Sequence, residues 1–580
     1  MAVAIPKQFT ISWLKRMYAQ RELTPEAVAE EISRRAEADA ERNAWIEPPS
    51  MERMRPYLER LREMDPESAP LWGVPFAVKD NIDVAGMPTT AACAEYAYAP
   101  EAHAAAVRRL VAAGAIPVGK ANLDQFATGL VGTRSPYGET HNALRPELIS
   151  GGSSSGSAAA VALGHAAFSL GTDTAGSGRV PAALNGLYGW KPSVGAWPTK
   201  GVVPACASLD CVTALTHDLD DALLVDAVVR GEDAGDPWSR PVPRTPAERP
   251  AKLYVPEGPL TFYGPFAEQY EAAWEVAVAK LESLGVPVER IDAALFAEAA
   301  AVLYEGPWVA ERWAGLGSFL EAHPGAAFPV TERVLRTGSG SDEGGRHDAA
   351  SVFRAMHRLQ ELKLAAKRLL GDGALVMPTC GGTWTREQAR LDPIATNSRM
   401  GLYTNHCNLL DLCAVAVPSG EAAPDLPFGI TFFAGAGREG LLEGAARLWT
   451  ERKPTTLVAV CGLHMRGLPL EKQMREHRAR FVREDRTAAA YRMYKLPTQP
   501  AKPGLIKTAS GGASLRLEVW EMPLETFGAF AAAIPAPLGI GKVELEDGTE
   551  VPGFVCEAIA ASGAEDITDR GGWREAIAGA

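Results

Sequence analysis

Cysteine is scarce, with eight in 580 residues, and none forms a Cys-x-x-Cys pair or stands at a Cys/His ligand spacing. Cys206 with Cys211, and Cys407 with Cys413, are too isolated to read as a zinc site, so no metal and no cofactor is expected. Such thiols fit a reducing cytoplasm. Positive charge is also in deficit: 58 Lys and Arg against 71 Asp and Glu give a formal net charge of −13. Nucleic acids are held by a clustered excess of cations, so no nucleic-acid partner is expected. A small anionic substrate would gain nothing from the global field and would need a local Arg. Long apolar runs are missing as well. The most apolar stretch, Ala158 to Leu170, is short and contains His165. It reads as a buried helix, and no membrane partner is expected. Met1 to Gln8 lacks the basic and apolar regions of a signal peptide.

What is present is a globular composition, 47% hydrophobic and 22% charged over a length that suggests two domains. Thr24-Pro25-Glu26 reads as a helix start with its cap, a first-turn Pro and an acid. Val74 to Asp80 reads as a buried strand ending in charge, with alternation turning Lys79 inward and Asp80 away. Helix is expected from His103 to Ala113 and from Ser157 to Phe168, with a strand at Ala115 to Val118. This alternation predicts an α/β domain with a covered sheet over residues 1–450. The Gly/Ser-rich segment Gly338 to Gly345 should be a mobile loop. Composition changes near Glu451-Arg452-Lys453-Pro454. Strand-like runs at Leu457 to Cys461 and Leu515 to Trp520, with the turn Ile534-Pro535-Ala536-Pro537, predict a smaller α+β domain over residues 455–580.

Two Gly/Ser loops dominate the middle of the chain: Gly151-Gly152-Ser153-Ser154-Ser155-Gly156-Ser157, and Gly171-Thr172-Asp173-Thr174-Ala175-Gly176-Ser177-Gly178-Arg179. Either alone reads as a tight turn or an anion cradle at a helix start. Gly114 to Lys120 nearly matches a phosphate loop, but Ala121 stands where the Mg²⁺-binding Ser or Thr belongs. Ser–Lys chemistry gives the paired loops a different meaning. A Ser hydroxyl attacks only when a base takes its proton, and Lys is such a base only when burial keeps it neutral.

The two loops together with Lys79 resemble the amidase signature family over roughly residues 70 to 450. The resemblance implies a central mixed sheet covered by helices. It makes Ser177 the nucleophile, Ser153, in a cis peptide, the bridge, and Lys79 the terminal base. The serines are 24 residues apart, as in the family. The amides of Thr174, Ala175, Gly176 and Ser177 are the expected oxyanion hole. Asp173 and Arg179 are expected to stiffen the loop, and His103 and His217 to lie at the surface or at helix ends.

Three features are similar to the allophanate hydrolase branch of that family. Tyr403-Thr404-Asn405-His406-Cys407-Asn408-Leu409-Leu410-Asp411-Leu412 looks like its Tyr-Thr-Asn-x-x-Asn-Leu-Leu-Asp-Leu segment. Gly129, Tyr304 and Arg312 match its substrate contacts, with Arg312 the partner for a small carboxylate. The bland alternative puts Tyr304 and Arg312 two turns apart on one surface helix. Cys461 to Leu470, Phe527-Gly528 and Ile534 to Gly541 resemble its second domain, which is γ-glutamyl cyclotransferase-like. There His464 is either a candidate for decarboxylating N-carboxycarbamate or a structural residue. The resemblance implies a cytoplasmic homodimer hydrolysing allophanate, a small carboxylated amide. It also leaves room for association with a urea carboxylase, which this sequence does not contain, or with cyanuric acid degradation. Another small amide, or ammonia supply to a multienzyme complex, stays open.

Overall fold

A computed structural model describes residues 3–304, 306–340, 348–451 and 454–578, with the side chain of Tyr304 outside the description. The chain divides into two compact units, Met1–Thr450 and Glu451–Ala580.

The first unit is built on an eleven-stranded mixed sheet. Its order is Trp45–Glu47, Ile116–Ala121, Pro75–Lys79, Phe168–Asp173, Cys211–Thr216, Tyr188–Lys191, Leu412–Ala423, Leu426–Gly435, Ala374–Pro378, Leu253–Pro256 and Val288–Ile291. Pro75–Lys79 runs parallel to both its neighbours, and Phe168–Asp173 pairs antiparallel with Cys211–Thr216. Every residue of these four strands is buried. A sheet covered on both faces needs such continuous burial. The helix Pro25–Ala38 starts as its sequence predicts, with Thr24 Oγ1 accepting the Ala27 N–H at 3.2 Å, a cap contributing about 1 kcal/mol.

Two local expectations, both of helices, need correction. The apolar run Ala158 to Leu170 is not one helix, nor is Ser157 to Phe168. The helix covers Ser155–Ala162, the chain turns at Gly164 with φ of 77°, and a strand begins at Phe168. A short apolar run without flanking breakers does not distinguish buried helix from buried strand, and here it contains both. Asp80 turns from Lys79 but not toward water. It is buried and its Oδ1 lies 3.2 Å from Lys120 Nζ, because the second sheet face is covered too. Lys120, the lysine of the near phosphate loop, is thus a strand residue held by an acid. The expected loop at 338–345 lies outside the described residues from 341 onward.

The second unit holds a five-stranded sheet in the order Arg480–Arg486, Arg516–Pro523, Thr455–Val460, Glu550–Cys556 and Leu538–Glu544. A three-stranded sheet adds Lys502–Lys507, Tyr491–Leu496 and Glu565–Asp566. The helix Leu524–Ala532 packs Phe530 into its core, and the following Ala536–Pro537 bond is cis. Among the described residues no helix is long and apolar enough to cross a membrane, and no cluster of His, Cys, Asp or Glu could hold a metal ion.

Candidate active site

Lys79 closes the strand Pro75–Lys79 with its amine fully buried. Its Nζ lies 2.7 Å from Ser153 Oγ and 2.7 Å from Thr172 Oγ1. Burial pulls its pKa down to about 7, with Asp210, Asp124 and Asp173 opposing that shift and Arg312 adding to it. The amine is therefore poised to exchange a proton near neutrality.

The Gly152–Ser153 bond is cis. A Cβ on Gly152 would sit 2.0 Å from Asp124 Oδ2, so only glycine fits there. The next amide, that of Ser154, donates to the Ser177 carbonyl at 3.3 Å and joins the two Gly/Ser loops.

Ser177 follows the strand Phe168–Asp173 and is 3% exposed. Its turn is clamped from behind. Arg179 Nε and Nη2 donate to Asp173 Oδ2 and Oδ1 at 2.9 and 3.0 Å, and Asp173 accepts the amides of Gly176 and Gly178 at 2.9 and 3.1 Å. The four amides expected to form an oxyanion hole are not alike. The Gly176 amide is already committed to Asp173, whereas among the described residues no acceptor takes the N–H of Thr174, Ala175 or Ser177. Buried amides rarely go unpaired, so these three are the donors of this turn free to take a further acceptor.

The Tyr403 to Leu412 segment packs against this turn. Asn408 Nδ2 donates to the Asp173 carbonyl at 2.7 Å. A Cβ on Gly176, whose φ is 134°, would meet Thr404 Oγ1 at 2.3 Å. His406 is buried between Phe296 and Phe433, and burial and Arg179 take its pKa down to about 3, so it stays neutral and structural.

Arg312 is not on a surface helix shared with Tyr304. One helix, Ala294–Tyr304, ends there and another, Val309–Ala322, carries Arg312 inward to 2% exposure. Arg312 Nη1 donates to Thr128 Oγ1 at 3.0 Å, beside Gly129. A Cβ at Gly129 would press on the Asp124 carboxylate at 2.5 Å. The structure thus brings Lys79, Ser153, Ser177, Arg312 and the Gly129 turn into one neighbourhood, while the Tyr304 side chain lies outside the described residues. His103 and His217 play no part. His103 Nδ1 accepts the Ala85 amide at 3.1 Å, and His217, half-buried before the helix Leu219–Val229, bonds the Val161 carbonyl at 3.0 Å.

Sequence reasoning missed Thr172, Asp124 and Asp210. Thr172 stands inside the second loop and its hydroxyl was visible as a candidate. Asp124 and Asp210 sit in stretches with no pattern to mark them. Asp124 accepts the amides of Val131, Gly132 and Arg134 at 3.1, 3.0 and 2.9 Å.

In the second unit a cavity of about 230 Å³ is lined by His464, Gln473, Lys502, Phe530 and Phe554 among others. His464 Nε2 and Gln473 Oε1 are 2.9 Å apart, and the imidazole stacks on Phe554 with centroids at 4.8 Å. Burial lowers the His464 pKa.

A family model described as Amidase matches residues 26–442, and one described as Allophanate hydrolase C-terminal domain matches residues 456–578. Urea amidolyase of Saccharomyces cerevisiae is 40% identical over 575 residues, 92% of this chain and 31% of that protein. This chain thus spans about a third of the length of that relative. The solved Kluyveromyces lactis allophanate hydrolase aligns with a TM-score of 0.70 at 36% identity, over 98% of this chain and 99% of the other. The native peptide amidase of Stenotrophomonas maltophilia aligns with a TM-score of 0.64 at 26% identity, over 76% of this chain and 96% of the other.

Proposed function

This chain belongs to the amidase family, and from that premise we propose that it hydrolyses allophanate by acyl transfer through Ser177. The carrying observation is the buried Lys79 amine 2.7 Å from the Ser153 hydroxyl. Ser177 Oγ adds to the terminal amide carbonyl while its proton passes to Ser153, and the Ser153 proton passes to Lys79. The free amides of Thr174, Ala175 and Ser177 receive the oxyanion. Collapse breaks the C–N bond, and the proton on Lys79 returns through Ser153 to the leaving ammonia. Water, deprotonated by the same relay, then releases N-carboxycarbamate from Ser177.

Similarity to proteins named allophanate hydrolase and urea amidolyase supports this substrate and a place in urea degradation beside a urea carboxylase activity. Arg312 supports it chemically, since a buried guanidinium beside the Gly129 turn suits a carboxylated amide and not a neutral one. The test is steady-state ammonia release from allophanate by the purified chain. Ser177→Ala should lose it by about 10⁴-fold or more, and retained turnover would refute the assignment. Arg312→Ala should raise KM for carboxylated amides by roughly 10–100-fold, the loss of one charge-assisted contact. Equal losses on neutral amides would remove that role and favour a different amide or ammonia supply to a partner.

For the second unit we propose that His464 assists loss of CO₂ from N-carboxycarbamate, with Lys502 at the same cavity offering a positive charge to that anion. His464→Asn should let N-carboxycarbamate accumulate transiently after ammonia release. If it decays at the parent rate, the cavity is structural. A cytoplasmic homodimer completes this reading, tested by cell fractionation and light scattering.

A further inference from the structure

Asp210 is 4% exposed and belongs to neither Gly/Ser loop. It directly precedes the strand Cys211–Thr216, whose partner Phe168–Asp173 leads into the Ser177 turn. Its Oδ1 accepts the Thr174 hydroxyl at 2.5 Å and its Oδ2 accepts the Ala205 and Cys206 amides at 2.8 and 3.2 Å. Thr174 is the first residue of the turn that carries the unpaired amides, so this carboxylate fixes the head of the oxyanion turn from the side chain.

The same carboxylate faces charge. Asp210, Asp124 and Asp173 favour the charged form of the Lys79 amine, and Arg312 opposes it. Each of the three is held by donors. Asp173 pairs with Arg179 at 2.9 Å and Asp124 accepts three main-chain amides, whereas Asp210 alone takes a side-chain donor from the head of the Ser177 turn. The donors on Asp210 are one hydroxyl and two amides, and Arg312 favours its charged form.

We propose that Asp210 is a positioning residue for acyl transfer: it anchors Thr174 at the head of the oxyanion turn and supplies the anionic counterweight shared by the Lys79 amine and the Arg312 guanidinium. It touches neither nucleophile nor substrate and acts through these three side chains. Burial raises its own pKa to about 6. The inference rests on the Ser177–Ser153–Lys79 reading above.

The experiment compares kcat/KM against pH for ammonia release from allophanate in the parent, Asp210→Asn, Thr174→Val, Thr174→Ser and Lys79→Met. Removing the anion should move the acidic limb of Asp210→Asn to lower pH by about one unit, with kcat down and KM for allophanate changed less. Thr174→Val should lose kcat by roughly tenfold to a hundredfold with its limb unmoved, and Thr174→Ser should regain most of that loss. A purely structural Asp210 would lower the amount of folded protein without moving the limb. An unmoved limb in Asp210→Asn overturns the proposal. If that variant does not fold, parental kcat in Thr174→Val overturns it. An active Lys79→Met would instead sink the triad itself, which separates the two failures.

Discussion

Lys79 and Lys120 lie on adjacent parallel strands and neither side chain reaches water. Val78 is the register partner of Lys120, so Lys79 and Lys120 leave opposite faces of the sheet. Lys79 meets two hydroxyls, Ser153 and Thr172, each at 2.7 Å. Lys120 meets the Asp80 carboxylate at 3.2 Å, the Thr89 hydroxyl at 2.9 Å and the Pro88 carbonyl at 3.0 Å. Burial lowers both pKa values, but Asp80 stands against Lys120 as a direct ion partner while, among the described residues, Lys79 has none within bonding reach. If Lys79 acts as proposed, burial alone does not make a base. A buried amine becomes one where its neighbours accept or relay a proton, and a strut where a carboxylate holds its charge.

The largest effect that could break this contrast is Lys79→Met. It removes the proposed proton acceptor and should lower kcat for ammonia release by about 10⁴-fold, with the thermal midpoint close to that of the parent. Activity within tenfold of the parent would make Lys79 another strut. Lys120→Met should do the reverse. It leaves Asp80 buried without its cation, which destabilises by roughly 3–5 kcal/mol, read as a lower urea midpoint. Activity per folded molecule should hold, because Lys120 points away from Ser153 and Ser177. Replacing both partners, Lys120→Met with Asp80→Leu, should recover much of the lost stability, since no charge is then stranded. A stable Lys120→Met variant without activity would reverse the two roles.

The same contrast marks what the sequence could reveal. Lys79 was legible because two Gly/Ser runs at family spacing stand beside it, and a close backbone approach such as that of Gly152 to Asp124 leaves a glycine in the sequence. The alternating elements and the change near residue 451 likewise made a sheet domain and a smaller second unit readable. The Lys120–Asp80 pair was not legible, for ion pairing across strands depends on register, which one sequence does not fix. The length of the helix after Ser155 was hidden because Ala158 to Leu170 is buried throughout and so carries no periodic signal. Asp210 was hidden for a third reason: its partners are a hydroxyl and two main-chain amides, and main-chain donors leave no motif.

The smallest effect sharpens the contrast without a mutation at either lysine. If Lys79 is the base, it must be neutral to take a proton, and burial brings its pKa to about 7 against the pull of Asp210, Asp124 and Asp173. Raising pH through that value deprotonates the amine, so kcat/KM should climb with pH below 7 and level above it. Each unit below the limb should cost about tenfold. Lys120 is tied to Asp80 on the other face and should contribute no inflection, so the Lys120→Met limb should overlay that of the parent. An acidic limb near the ordinary lysine value of 10.5 would mean a solvated ammonium at position 79. In that case hydroxyl neighbours would be no better than a carboxylate at discharging a buried lysine, and the difference between the two sites would lie in geometry alone.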